Sequence, residues 1–367
     1  MTTAKGLAVP LIAAALAACL FPAIAASPAA GPGPTDAKPD VPVTEVRKRI
    51  LQLLEEGALY RDGIDWPAAR QQLQDANGSA DADSILDQLI SRSTANHGRW
   101  IRASVLSRTP GARGVTRADQ LQRQIAAKDT SAQNQDRNDA ADPIGLISIP
   151  AFLDDAKAAP PVRYQQRQVF ARQLQARLRA QDAHDRCGWI VDLRKNRGGN
   201  MWPMLAGITP LLSTDPKNRE VIGGFDAGTT HQIWSIQSGQ VLLDERSPVK
   251  LDFPGYVLRH PAPPVAVLLG PNTASSGEAV ALAFRGRPAT RSFGQETAGY
   301  STANVPTPLP DGSILLLTGS ISVDRHLKGD GQKLKPDAPV SSAEDATNAA
   351  RSWLMAQPGC KAMPRRQ

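Results

Sequence analysis

The stretch "PVAVLLGPNTASSGEAVALAF", Pro264 to Phe284, sets the architecture of this chain. Val265 to Leu269 is an unbroken apolar run of strand length, the pattern of a strand buried on both faces. Gly270-Pro271-Asn272 is a turn. From Glu278 onward, Ala279, Val280, Leu282, Ala283 and Phe284 have the spacing of a helix. Between turn and helix lie Thr273, Ala274, Ser275, Ser276 and Gly277. Small hydroxyls at a helix start are commonly caps, because their oxygens accept the free N–H groups of the first turn. The same corner also exposes a side chain beside main-chain amides, which suits a nucleophile.

Around this corner, strands and helices alternate. Ile144 to Ile149 and Trp189 to Leu193 read as strands, and Val162 to Ala183 as a helix with Phe170, Leu174 and Leu178 on one stripe. A further helix is expected over Met204 to Leu212, and a β-rich insertion over residues 213–262. Past the corner come strands at Ile314–Leu317 and Ile321–Val323 and a closing helix at Ala343–Met355. Such alternation predicts an α/β core with covered sheet faces. The core is expected over 142–340, with a C-terminal helix and tail over 341–367. Upstream, Val46, Ile50, Leu53 and Leu54 follow helical spacing until Gly57, and Ile85, Leu86, Leu89 and Ile90 make a second helix. These predict a helical cap domain over 44–125. Residues 110–141 are polar and read as a loop.

The N-terminus has the form of an export signal over residues 1–25: Lys5, an apolar run from Leu7 to Ile24, then the small-x-small site Ala23-Ile24-Ala25. A Pro/Ala/Gly-rich linker follows over 26–43. The reading is therefore a periplasmic or secreted protein without a stable membrane span. The alternative is a membrane-anchored lipoprotein, since "LAAC", Leu16 to Cys19, resembles a lipobox and would place a lipid anchor on Cys19. The net charge of +7 is spread as scattered Arg and Lys, with no basic block interleaved with aromatics, so nucleic acid is excluded as a partner. Cys187 and Cys360 allow one disulfide in an oxidising compartment, or two buried thiols. No Cys/His cluster has metal-ligand spacing, so neither metal nor cofactor is expected.

A second informative stretch is "IVDLRKNRGGNMWPMLAG", Ile190 to Gly207. A strand ends at Asp192, and the Gly198-Gly199 pair lets the backbone come close to something and turn its amides outward. A phosphate cradle would need a Lys-Ser/Thr after the glycines, and there is none. A hydroxyl nucleophile needs a base, most often histidine. Spacing alone does not choose among His97, His184, His231, His260 and His326.

Together "DLRKNRGGN", "NTASSGEAVALAF", "GQETAG" and "DGSILLLTGS…GDGQKLKPD" resemble the tail-specific, or C-terminal processing, serine peptidases of family S41. The likeness runs in order over residues 144–340 and more weakly over 44–100. Within the family it is to the subgroup containing the nisin resistance protein, which shares "TASS-x-E" and "GGNM-x-PM". The resemblance implies a crotonase/ClpP-like spiral α/β core with an N-terminal helical cap. It implies Ser275 as nucleophile, Glu278 as the glutamate that follows it, and an oxyanion hole from the amides of Ser276 and Gly199, with Gly198 as the alternative glycine. Many members carry a lysine base after "TxG"; here "TAG" is followed by Tyr300, whose phenol is a poor base. Other members use a histidine in a cap turn of the form "D-x-H-S". His97, in "ANHGRW", matches that position, with Gly98 where serine is usual. Asp324 and Asp330 are candidates for a third member that orients His97. The chain between His97 and Ile144 is too short for a PDZ module, so the insertion is expected to shape the cleft instead. The expected activity is hydrolysis of peptide bonds in peptides or protein ends. The alternative is a catalytically silent peptide- or lipophile-binding protein on the same fold.

Overall fold

The computed structural model describes residues 41–76, 80–107, 142–155, 158–251 and 255–362. The expected export signal, the expected linker up to residue 40, Cys19 and residues 108–141, which include the stretch expected to be a loop, lie outside the described residues. Helices α1 (Val43–Gly57), α2 (Trp66–Asp75) and α3 (Ala80–Ser93) lead into strand β1 (Arg99–Ile101) and a short helix α4 (Ala103–Ser107). Then follow β2 (Ile144–Ser148), α5 (Pro160–Asp182), β3 (Gly188–Asp192), α6 (Met201–Gly207) and α7 (Thr209–Leu212). The insertion contributes β4 (Glu220–Asp226), β5 (His231–Gln237) and β6 (Gln240–Leu243). The remainder is β7 (Val265–Leu269), α8 (Ser276–Phe284), β8 (Thr290–Gly294), β9 (Thr302–Pro308), β10 (Ile314–Val323), β11 (Ala338–Pro339), α9 (Ala343–Met355) and α10 (Pro358–Lys361).

Two sheets result. The first is parallel, in the order β11-β8-β7-β3-β2. Its alternate residues serve two cores. Trp189, Val191, Val265, Val267 and Leu269 pack with α5, α6 and α8, while Ile190, Ala266 and Leu268 pack with α9 and α10. This two-sided burial is why β3 and β7 read as continuous apolar runs. The edge strand β2 is covered by a side chain: the Gln181 amide accepts the Leu146 N–H at 2.8 Å and donates back to the Leu146 carbonyl. A primary amide that meets both groups of one residue imitates a neighbouring strand and blunts the edge. At the other end of β3, a disulfide joins Cys187 to Cys360 in α10, so the open choice between bond and thiols is closed in favour of the bond.

The second sheet is antiparallel, in the order β1-β10-β4-β5-β6, with β9 on the other flank of β10. Through β1, the N-terminal helical region enters this sheet directly. Val46, Ile50, Leu54, Leu86 and Ile90 of α1 and α3 close over Trp100 and Leu315. The insertion is anchored on the larger core by fully buried Trp234, whose ring meets Phe225 edge-on at 4.7 Å. No helix among the described residues is long and apolar enough to cross a membrane.

The element expectations need several corrections. The two strands expected at 314–317 and 321–323 are one strand, β10; the Gly319 that reads as a break is taken up as a register shift against β9 between Thr318 and Ser320. The helix expected over 204–212 starts earlier and divides at Ile208 into α6 and α7. Helix α2 and strands β1, β8 and β9 were not foreseen. Two prolines in the β9 sequence "TANVPTP" mask a strand that holds an edge position, where proline is tolerated.

Candidate active site

Strand β7 leads into the Ser275 corner. Thr273, fully buried, donates its hydroxyl to the Leu193 carbonyl at 2.9 Å and accepts the Gly270 N–H at 3.1 Å. The next residue, Ala274, donates its N–H to the Asn196 carbonyl at 3.0 Å. These bonds pin the turn to the end of β3. Ser275 then takes φ 53° and ψ −117°, a conformation that L residues rarely adopt. Such a residue costs about 1–3 kcal/mol and persists only where its surroundings hold it. Glu278 is what holds it here. Its fully buried carboxylate accepts the Ser275 N–H at 2.8 Å, the Tyr300 N–H at 2.8 Å, the Gly299 N–H at 2.9 Å and the Thr297 hydroxyl. Burial raises the Glu278 pKa, and these four donors oppose the rise.

The glycine loop is knitted to that corner by Asn196, itself fully buried. The Asn196 amide donates to the Ile149 carbonyl at 3.1 Å and its Oδ1 accepts the Gly198 N–H at 2.9 Å. The Gly198 amide is thereby occupied. The N–H groups of Gly199 and Ser276 meet no acceptor among the described residues. Both glycines have positive φ and no room for a side chain: a Cβ on Gly198 would lie 2.9 Å from the Ser275 Cβ, and one on Gly199 only 1.9 Å from the Phe152 carbonyl oxygen. The Ser276 hydroxyl donates to the Gly199 carbonyl at 2.6 Å, which fixes the glycine peptide against the helix start. Asp192 is engaged elsewhere, in a bidentate pair with Arg194.

His97 comes from the other sheet. It follows two left-handed residues, Ala95 and Asn96, and stands just before β1. Its Nε2 lies 3.0 Å from the Ser275 Oγ and its Nδ1 lies 2.6 Å from the Thr302 Oγ1. Its carbonyl accepts the Asn304 amide at 3.1 Å, and the Tyr300 ring stacks on the imidazole at a centroid distance of 5.0 Å and an angle of 27°. Burial, and then the charge of Arg99, lower the His97 pKa from 6.5 to about 4, so the ring is neutral at neutral pH. Gly98 has a local reason: a Cβ there would press on the Thr94 side chain at 2.7 Å and the Leu316 carbonyl at 2.9 Å. A side chain at this position would fit only if Thr94 and the Leu316 peptide shifted.

Of the five histidines, His97 is the one that meets Ser275. His231 pairs with Asp226 and His260 with Asp185. Neither aspartate candidate reaches His97. Asp324 closes its own turn by accepting the His326 and Lys328 N–H groups, and Asp330 accepts the Gln332 N–H. The residue at Nδ1 is Thr302, which sequence reasoning missed. It lies 205 positions from His97, and a threonine at the start of an unforeseen strand carries no signal of its own.

Comparison with known proteins adds to this geometry. The model of peptidase family S41 matches residues 143–340, more than half of the 367-residue chain. The nisin-resistance protein of Lactococcus lactis subsp. lactis is 34% identical over 213 residues, which are 58% of this chain and 60% of that protein. The chain thus spans about three fifths of the length of that curated relative. Among solved structures, a lipoprotein from Streptococcus agalactiae aligns with a TM-score of 0.61 and 23% identity, over 85% of this chain and 96% of its own. The photosystem II D1 C-terminal processing protease aligns with a TM-score of 0.53 and 13% identity, over 89% and 99%. At these identities the structural likeness is one of fold, a mixed α/β core with a helical N-terminal region.

Proposed function

The chain belongs to peptidase family S41, and from that premise we propose that it is an exported serine peptidase in which Ser275 attacks peptide bonds with His97 as its base. The observation that carries this reading is the 3.0 Å approach of Ser275 Oγ to His97 Nε2, between residues 178 positions apart, one after a strand of the parallel sheet and one before a strand of the antiparallel sheet. An Nδ1–H donated to Thr302 leaves the Nε2 lone pair facing the serine hydroxyl, the tautomer a base requires. The lowered His97 pKa keeps that lone pair free across the neutral range.

The chemistry follows from these positions. His97 Nε2 takes the Ser275 proton as Oγ bonds to the substrate carbonyl carbon. The oxygen of the tetrahedral intermediate carries the negative charge, and the N–H groups of Gly199 and Ser276 receive it. Nε2–H then protonates the departing amine as the C–N bond breaks, leaving an acyl group on Ser275. Water, giving its proton to Nε2, attacks that ester; the carboxylic product leaves and the serine proton returns. The Asn196 bond to Gly198 N–H favours Gly199 as the glycine donor.

The substrate on this reading is a peptide or protein end outside the cytoplasm. The signal-like N-terminus, the Cys187–Cys360 bond and the nisin-resistance and lipoprotein relatives support that location. A lipid on Cys19 is the anchored variant of the same reading.

The test is labelling with a fluorophosphonate probe, mapped by peptide mass spectrometry. The expected result is a single modified residue, Ser275, with labelling slowed roughly 10⁴-fold or more in His97→Ala and absent in Ser275→Ala. A folded wild-type protein that takes no label at Ser275 would sink the peptidase reading and leave a binding protein on a peptidase fold.

A further inference from the structure

A histidine that acts as base acquires a positive charge, and in Ser-His-Asp enzymes a carboxylate both orients the ring and stabilises that charge. Here no carboxylate lies within ion-pair distance of His97 among the described residues. We propose that Thr302 and Tyr300 divide the work of that missing carboxylate: Thr302 fixes the ring and its tautomer, and Tyr300 carries the charge on its π face. The inference rests on the Ser275–His97 reading and names what makes that pair function.

Thr302 is suited to the first task. It is buried, and its backbone is held in the β9–β10 ladder opposite Ile321. A β-branched side chain has few rotamers, so its oxygen has little freedom to leave Nδ1. As a neutral acceptor at 2.6 Å it orients the ring without placing a charge beside it.

Tyr300 is suited to the second. An aromatic face attracts a cation within about 6 Å of its centroid, and the imidazole centroid lies 5.0 Å away in a nearly stacked pose. The tyrosine main chain is fixed by its N–H bond to Glu278, which places the root of the ring beside the imidazole. The other charged groups around the site do not do this work. Arg99, on the same segment as His97, opposes a second positive charge. Glu278, on α8, directs both oxygens at its four donors. Lys333 packs against Gly299 and adds only positive charge.

The role is one of positioning and charge support; the transferred proton stays between Ser275 Oγ and His97 Nε2. The experiment measures the fluorophosphonate labelling rate at Ser275 from pH 3 to pH 9 on the full chain, with Thr302→Ser, Thr302→Val, Thr302→Asp, Tyr300→Phe and Tyr300→Leu. Thr302→Val is expected to slow labelling roughly 10- to 100-fold, through a lost acceptor for a buried donor, while Thr302→Ser stays near wild type. Tyr300→Leu is expected to slow it roughly 3- to 30-fold and Tyr300→Phe hardly at all, because the ring and not the phenol carries the effect. The pH profile supplies what a merely structural role would not move. The acid limb shifts down in Tyr300→Leu, where the protonated ring loses support, and up in Thr302→Asp, where a carboxylate supplies it.

Should Thr302→Val fail to fold by circular dichroism, the Ser and Asp variants still decide its part. Wild-type rates and unmoved acid limbs in Tyr300→Leu and Thr302→Asp overturn the proposal while leaving the serine and its base in place. Loss of label from wild-type Ser275 overturns the underlying reading, and this inference with it.

Discussion

Ser275 and Gly199 stand beyond the carboxyl ends of β7 and β3, adjacent parallel strands, whereas His97 and Thr302 stand at the starts of β1 and β9, on opposite flanks of β10. The first pair sits on unusual main chain, a strained φ and glycines with no room for a Cβ, held by the buried side chains of Glu278 and Asn196. The second pair sits on ordinary strand ends of the β10 neighbourhood and is joined by side-chain bonds between segments more than two hundred positions apart. The parallel-sheet side holds the groups that would receive negative charge, and the antiparallel side holds those that would receive a proton. A rigid backbone suits the former, since an oxyanion needs donors fixed in advance.

That contrast can be broken or sharpened by measurement. Among variants that leave Ser275 and His97 themselves in place, the largest effect is expected from Gly199→Ala on the parallel-sheet side. Its new Cβ would sit 1.9 Å from the Phe152 oxygen, so the peptide must move and its N–H with it. Labelling at Ser275 should fall by about a hundredfold or more; a fall smaller than that of Thr302→Val would reverse the ranking of the two sides. Next comes Cys187→Ser with Cys360→Ser. Losing the bond should lower stability to denaturant by about 2–4 kcal/mol. The labelling rate should hold, because the disulfide lies in the α9–α10 core, across the parallel sheet from α8. A matching loss of labelling would mean that the two faces are coupled.

The subtlest effect is with pH. The unfolded chain protonates His97 below about 6.5, while the folded chain does so only near 4. The unfolded state therefore binds more protons between those values. Folding stability from this group should fall as pH drops from 6.5 to 4 and be level above 6.5. The labelling rate should show its acid limb near 4; a limb near 6.5 would mean that His97 is more open to water than its burial implies.

What could be read in advance divides along the same line. The corner around Ser275 and the glycine pair lie in continuous stretches where a strand runs into a turn and a helix, so periodicity and turn chemistry mark both stretches, while the choice of Ser275 and Glu278 within them came from resemblance. His97 was legible only through resemblance, because a polar turn after a helix looks like any other solvent loop. Thr302 and the stacked Tyr300 were not legible. β9 carries two prolines and gains its strand character by pairing with β10. The capping expected of the small hydroxyls was half right: Glu278 reaches back to the Ser275 N–H, while the serine hydroxyl faces the imidazole.

Glu278 has a consequence for how such a site can change over generations. It grips residue 300 by the main-chain N–H, a group every residue except proline supplies. The identity of the side chain at 300 is thus uncoupled from the placement of the segment that bears it. A lineage can replace a lysine there by a tyrosine without first redesigning the loop, provided another base stands within reach. The carboxylate that steadies Ser275 is in this sense also what leaves the neighbouring position open to innovation.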